Sequence, residues 1–191
     1  MVLQAIRYTR GSLKILDQLQ LPHREIYEQI RDTKDAWDAI KQMRVRGAPA
    51  IAIVAALSLA VELQNSLDTD GQSMTVGSMV SFLGEKLDYL VTSRPTAVNL
   101  ADAVQKLKMV VGYAHNLAES SSGTIGEAYT IAAEQMLVDD VQDNENIGRH
   151  GADWILKNTV WGTEGKVSVL THCNTGLVKA SSDERQKTIL I

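Results

Sequence analysis

A single cysteine, Cys173, in 191 residues leaves no intrachain disulfide and fits a reducing compartment. Aromatic side chains make up only 5% of the chain, with one phenylalanine among them. The core must therefore be built from Ala, Val, Leu and Ile, a composition that favours closely packed helices. Positive charge is not in excess. Lys and Arg number 19 against 23 Asp and Glu, a net charge of −4 that offers no electrostatic footprint for nucleic acid or an anionic membrane. The most apolar stretch, residues 48–61, contains Pro49 and Ser58 and reads as too short for the ~30 Å hydrocarbon core of a bilayer. Arg7, Arg10, Lys14 and Asp17 break up the start of the chain, so no signal peptide is expected. Repeats, low-complexity tracts, a Walker motif and a G-x-G-x-x-G fingerprint are all lacking. The histidines at 23, 115, 150 and 172 have no metal-ligand spacing, and His172-Cys173 alone cannot make a zinc site. With 45% hydrophobic and 22% charged residues, what is present is ordinary globular composition, expected in the cytoplasm.

In chain order, Ile6 and Tyr8 form one weakly alternating run, and Leu13, Ile15, Leu19 and Leu21 form a second that Pro22 stops. Arg10-Gly11-Ser12 between them predicts a β-hairpin. Thr33 can cap a helix carrying Ala36, Trp37, Ile40 and Met43 at 3.6 spacing and ending near Arg44. A second helix is expected after Arg46-Gly47, with Pro49 in its first turn and apolar residues on nearly every face to Leu63, as in a helix buried among helices. Val76, Val80, Leu83, Leu87 and Leu90 mark a third helix. Ala97, Ala101, Val104, Leu107, Val111 and Ala114 mark a fourth that starts at Thr92-Ser93-Arg94-Pro95. Ile125, Ala128, Ala132 and Met136 mark a fifth, and a sixth is expected from about Glu145 to Leu156, anchored by Ile147 and Ile155. Gly162 and Gly165 then flank a turn into a β-rich run, Val167-Ser168-Val169-Leu170.

The expected class is α+β passing into α/β: a small N-terminal hairpin with a helical bundle over residues 1–162, then the first strand of a second domain over 163–191. One strand cannot satisfy its own ladder, so the remainder of that sheet is expected to be missing from this chain.

Three places could carry chemistry. Thr171-His172-Cys173-Asn174-Thr175-Gly176 follows the last run, where a strand end is rigid yet open to ligand. There Cys173 can be a nucleophile, a proton carrier or an inert small hydrophobe. Arg46-Gly47-Ala48-Pro49 and Ser93-Arg94-Pro95-Thr96 each place an arginine at a helix start, with proline in or beside the first turn. Free N–H groups, the positive end of the dipole and a planar guanidinium fork suit a phosphate or polyhydroxyl ligand, and Gly47 allows close backbone approach. The plain alternative is a pair of ordinary proline-started helices with solvated arginines. Asp139-Asp140-Val141-Gln142-Asp143 fits a magnesium-binding DDxxD pattern, but it lacks a second aspartate-rich stretch and reads as a solvated acidic face.

Val45-Arg46-Gly47-Ala48-Pro49-Ala50-Ile51, Ser93-Arg94-Pro95-Thr96-Ala97-Val98-Asn99 and Thr171-His172-Cys173-Asn174-Thr175-Gly176, in that order, resemble the methylthioribose-1-phosphate isomerases of methionine salvage. Leu3-Gln4-Ala5-Ile6-Arg7-Tyr8 and Asp143-Asn144-Glu145-Asn146-Ile147-Gly148 fit the same family, so the resemblance covers residues 1–176. That family belongs to a superfamily with ribose-1,5-bisphosphate isomerase and the regulatory subunits of initiation factor 2B. The resemblance implies isomerisation of an aldose 1-phosphate to a ketose 1-phosphate without metal or nicotinamide cofactor. It also implies a Rossmann-like catalytic domain, a homodimer when that domain is whole, and a cytoplasmic location that extends to the nucleus. Cys173 is then the catalytic cysteine, and Arg46, Gly47, Ala48 and Arg94 hold the substrate. The family pairs the cysteine with an aspartate further along the chain as general acid. Residues 177–191 depart from the family pattern, and nothing aligns Asp183 with that acid. A chain without the acid is expected to have little or no activity on its own.

Overall fold

The structure, a computed structural model, describes residues 4–70 and 74–158. Their contacts fall into two units, Gln4–Met136 and a second that takes up the chain from Leu137. In the first unit, β1 (Ile6–Thr9), β2 (Ser12–Leu16) and β3 (Tyr27–Ile30) are followed by α1 (Thr33–Lys41), α2 (Ala48–Asp70), α3 (Val76–Val91) and α4 (Val98–His115). The last helix, α5 (Ser122–Asn158), starts in this unit and runs on into the second. The described fold is mainly helical with one small antiparallel sheet.

The hairpin forms as expected. Thr9 pairs with Ser12 and Ile6 with Ile15, and Gly11 supplies the positive φ of 77° that the two-residue turn requires. The second strand stops at Leu16, well short of Leu21. Asp17 is buried and its Oδ1 accepts the Leu19 N–H, starting a turn instead of extending the ladder. A third strand, β3, was not expected. It pairs with β2 from Leu13↔Ile30 to Leu16↔Tyr27, so β2 is central and contributes Leu13, Ile15 and Leu16 to the core. Tyr27-Glu28-Gln29-Ile30 has too few apolar positions to show the period of a strand; the open edge of β2 recruits it.

Helix α2 is the centre of the packing. Every residue from Ile51 to Val61 is buried, and α1, α3, α4 and the sheet all pack on it. Each Ile, Leu or Val in that run contributes about 1.5–3 kcal/mol of burial. Exposed ion pairs such as Lys106–Asp102 are worth about 0–1 kcal/mol, so burial dominates. The expectation that the apolar stretch is too short for a bilayer is corrected here. Ala48–Ser66 is long and apolar enough by that measure, but 67% of it is buried within the protein, so core packing accounts for its composition. Gly126 of α5 lets that helix approach α2: a Cβ there would lie 3.1 Å from Leu63 Cδ2. Buried Tyr129 donates its hydroxyl to the Ala56 carbonyl at 2.9 Å.

Other expectations about the helices change as well. Asp32, not Thr33, caps α1, its carboxylate accepting the Asp35 N–H. Met79 joins Leu83, Leu87 and Leu90 on the buried face of α3. On α5 the buried positions are Ile125, Gly126, Tyr129 and Ala133. The fifth and sixth helices are one, because no Pro or turn sequence interrupts residues 137–144. The strand expected at 167–170, the domain expected from residue 163 and Cys173 lie outside the described residues.

Glu62 ties three helices together. Its carboxylate accepts the Thr33 N–H at the start of α1 at 2.8 Å and pairs with Lys86 of α3. Burial alone would raise its pKa, but the Lys86 ammonium and the Thr33 donors hold the carboxyl below its ordinary value. A pKa lower in the folded than the unfolded chain adds stability above the unfolded value, lost as pH falls through the folded one. Glu62→Gln is expected to lower stability by about 1–3 kcal/mol at pH 7. Urea titrations at pH 7 and pH 3 check the charge: the gap to the parent should narrow at pH 3, and an unchanged gap would remove the electrostatic account.

The connector from α1 to α2 is equally specific. Met43 takes φ 61°, its N–H reaches the Ile40 carbonyl at 3.1 Å, and the Arg44 N–H reaches Ala39 at 2.9 Å. This is a Schellman close with methionine where glycine is usual. Gly47, at φ 95°, then turns the chain into α2. Thermal melts should separate the two left-handed positions. Met43→Gly is expected to gain about 0.5–1 kcal/mol, and Gly47→Ala to lose about 1–2 kcal/mol.

Candidate functional site

The turn carrying Arg46 is built by the α1–α2 connector. Val45 is buried, and the Gln18 N–H bonds the Arg44 carbonyl at 2.9 Å. The Gln18 Nε2 reaches the Arg46 carbonyl at 3.4 Å, and the Arg44 guanidinium pairs with Glu28 of β3. The sheet thus fixes the backbone from which Arg46 projects. Half-buried Arg46 donates Nε to the Met43 carbonyl at 3.1 Å, and its terminal nitrogens have no acceptor among the described residues. Helix α2 opens as expected, with the Ile51 N–H on the Gly47 carbonyl at 3.0 Å and Pro49 in the first turn. The Ala48 and Ala50 N–H groups have no acceptor among the described residues. Free guanidinium donors and unfilled helix N–H groups are each of a kind that binds an anion, and here they lie within five residues of chain.

Arg94 is placed differently from the expectation. It lies ahead of α4, which begins only at Val98 after Ala97 as N-cap. The Ala97 N–H returns to the Arg94 carbonyl at 2.9 Å, so Pro95 occupies the second position of a β-turn and not the first turn of a helix. Proline's fixed φ suits that position as well as a helix start, and only the tertiary setting chooses between them. The turn hangs from the end of α3. Buried Ser93 donates its hydroxyl to the Leu90 carbonyl at 2.6 Å, and the Arg94 N–H reaches the Val91 carbonyl at 3.3 Å. The half-buried Arg94 side chain has no partner among the described residues.

The two turns share helix α1. The Arg46 turn leaves its C-terminus, and the Arg94 turn is bonded to it through Trp37, whose Nε1 donates to the Thr92 hydroxyl at 2.8 Å. Sequence reasoning missed Trp37, Gln18 and Met43 as supports. Trp37 reads as a core position, although an indole N–H at a packed position signals a needed acceptor. The DDxxD aspartates lie on α5, with Asp139 and Asp143 exposed. Burial, and then the charge of Asp143, hold the Asp140 carboxyl above its ordinary value. No group of three or more His, Cys, Asp or Glu side chains gathers for a metal among the described residues. Cys173 is outside them.

A sequence profile of the Initiation factor 2 subunit family matches residues 44–188. The chain is 60% identical over 177 residues to a methylthioribose-1-phosphate isomerase of Pyrenophora tritici-repentis, covering 92% of this chain and 44% of that protein. To the enzyme of the same name from Aspergillus terreus it is 55% identical over 181 residues, 95% of this chain and 48% of the relative. The chain thus spans under half the length of these relatives. Among solved structures, a 5-methylthioribose 1-phosphate isomerase from Pyrococcus horikoshii OT3 matches with a TM-score of 0.67 and 27% identity, over 78% of this chain and 40% of that one. The delta subunit of the translation initiation factor eIF-2B from A. fulgidus matches with a TM-score of 0.63 and 28% identity, over 79% and 41%. With the profile matched over most of its length, this chain belongs to the initiation factor 2 subunit family.

Proposed function

We propose that this protein serves as a methylthioribose-1-phosphate isomerase in methionine salvage, converting 5-methylthioribose 1-phosphate to 5-methylthioribulose 1-phosphate. The observation that carries the reading is the 60% identity over 177 residues to a relative of that name. Arg46 supports it with terminal guanidinium donors that have no acceptor among the described residues, two residues before the helix start at Ala48, and Arg94 with a side chain free of partners among the described residues. In this reading Arg46, Gly47, Ala48 and Arg94 hold the sugar phosphate. The phosphate ester on C1 prevents opening as a free hemiacetal. The ring oxygen must therefore gain a proton as its bond to C1 breaks, while hydrogen passes from C2 to C1 and the C2 hydroxyl becomes a ketone. Cys173 assists that hydrogen movement. The acid at the ring oxygen is the aspartate that the family carries further along, in a Rossmann-like domain beginning near residue 163. This chain alone then binds substrate without turning it over, and the complete enzyme is a cytoplasmic homodimer.

The likeness to the eIF-2B delta subunit, nearly equal in TM-score, favours a second reading: a non-catalytic regulatory protein working through subunit contacts. Calorimetric titration with 5-methylthioribose 1-phosphate separates the two. The isomerase reading expects binding, weakened about tenfold or more by Arg46→Ala or Arg94→Ala as a charged hydrogen-bonding group is lost. No binding by the parent chain, with retention of initiation-factor subunits in a pull-down, would sink it. Measured turnover should be negligible for this chain, and appreciable turnover would remove the need for the distant acid.

A further inference from the structure

We propose that Trp37 is a positioning residue for the sugar-phosphate site, holding the Arg94 turn through Thr92. The inference rests on the reading of Arg94 as a substrate contact. Within residues 92–94, the bonds of Ser93 and Arg94 go back to Leu90 and Val91 of α3. The Thr92 hydroxyl donates its own proton to the Tyr89 carbonyl at 2.6 Å, so its oxygen remains as an acceptor. The Trp37 Nε1–H fills it at 2.8 Å. Among the described residues, Trp37 is the one side chain of another element that hydrogen-bonds to residues 92–94. Its ring stacks on Tyr89 with centroids 5.9 Å apart and planes 18° from parallel, and Lys41 lies over it at 5.7 Å. The indole therefore cannot swing away from Thr92 without breaking the stack. Because α1 also ends in the Arg46 turn, one helix carries both arginine turns. A turn held in place before the ligand arrives avoids an ordering cost on binding.

Two variants separate positioning from packing. Trp37→Phe keeps an aromatic ring on Tyr89 but removes the donor; Thr92→Val keeps the shape but removes the acceptor, together with the hydroxyl's own bond to the Tyr89 carbonyl. Each is expected to weaken binding of 5-methylthioribose 1-phosphate by this chain roughly three- to tenfold, the range of a single hydrogen bond. The double variant should bind no more weakly than Thr92→Val alone, because that substitution already removes the Trp37 contact. A role in packing alone would lower the melting temperature while leaving the Kd of the folded protein in place. Equal Kd values for parent and variants, or losses that multiply in the double variant, overturn the proposal. Hydrogen exchange at the Ser93 and Arg94 amides supplies a readout that needs no ligand. Faster exchange confined to this turn in Trp37→Phe supports the pinning, and unchanged exchange overturns it. If the parent itself does not bind the sugar phosphate, the isomerase reading falls, while the exchange data still decide whether Trp37 holds the turn.

Discussion

Burial of α2 sets how the sheet and the helices around it pack. A helix with no polar face from Ile51 to Val61 cannot stand at a surface, so α1, α3, α4 and the hairpin sheet have to cover it. The few aromatics follow from the same demand. Alanines at 52, 55, 56 and 60 let neighbouring helices come close, and Gly126 does so from the other side of the contact. The polar groups at this core have assigned partners: Ser58 donates to the Ala55 carbonyl, Tyr129 to Ala56, and Glu62 meets Thr33 and Lys86 where the buried stretch ends. Polar groups removed from water cost more than their bonds return unless paired, so each of these bonds supports the apolar packing around it.

Helix α1 is the short link between that core and the arginines. Its start is fixed by Asp32 and Glu62, its middle holds the α3–α4 turn through Trp37, and its end releases the Arg46 turn through a left-handed methionine. The sheet adds a brace from the other side, through Gln18 and the Arg44–Glu28 pair. Arg10, at the hairpin turn, in turn bonds Glu127 and Glu134 of α5. Both candidate arginines therefore sit on loops, and those loops are held by bonds from the helix and sheet beside them.

Much of this was legible in residue order. The hairpin at Gly11, the apolar α2, the Gly47-Pro49 start and the helices over α3 and α4 all follow from local pattern. β3 was not, because Tyr27-Glu28-Gln29-Ile30 has no periodicity of its own and exists as a strand only against β2. The continuity of α5 was not, because a polar stretch from Val138 to Glu145 looks like a break when its solvent-facing position is unknown. The Pro95 turn was misplaced because proline serves a β-turn and a helix start through the same fixed φ.

Residue order was enough to show which elements form around strong local signals, which helix is buried among the others, and which arginines, glycine and cysteine are candidates for chemistry. These are properties of residue type and spacing, set by sterics and by the cost of exposing apolar surface. What supports the candidates came from packing alone. That Trp37 of α1 bonds Thr92 beside Arg94, and that Glu62 joins three helices, are contacts between residues far apart in the chain. Local pattern carries no record of such distances, because a hydrogen-bond partner 55 residues away is chosen by the packing of α2 and not by its neighbours in sequence.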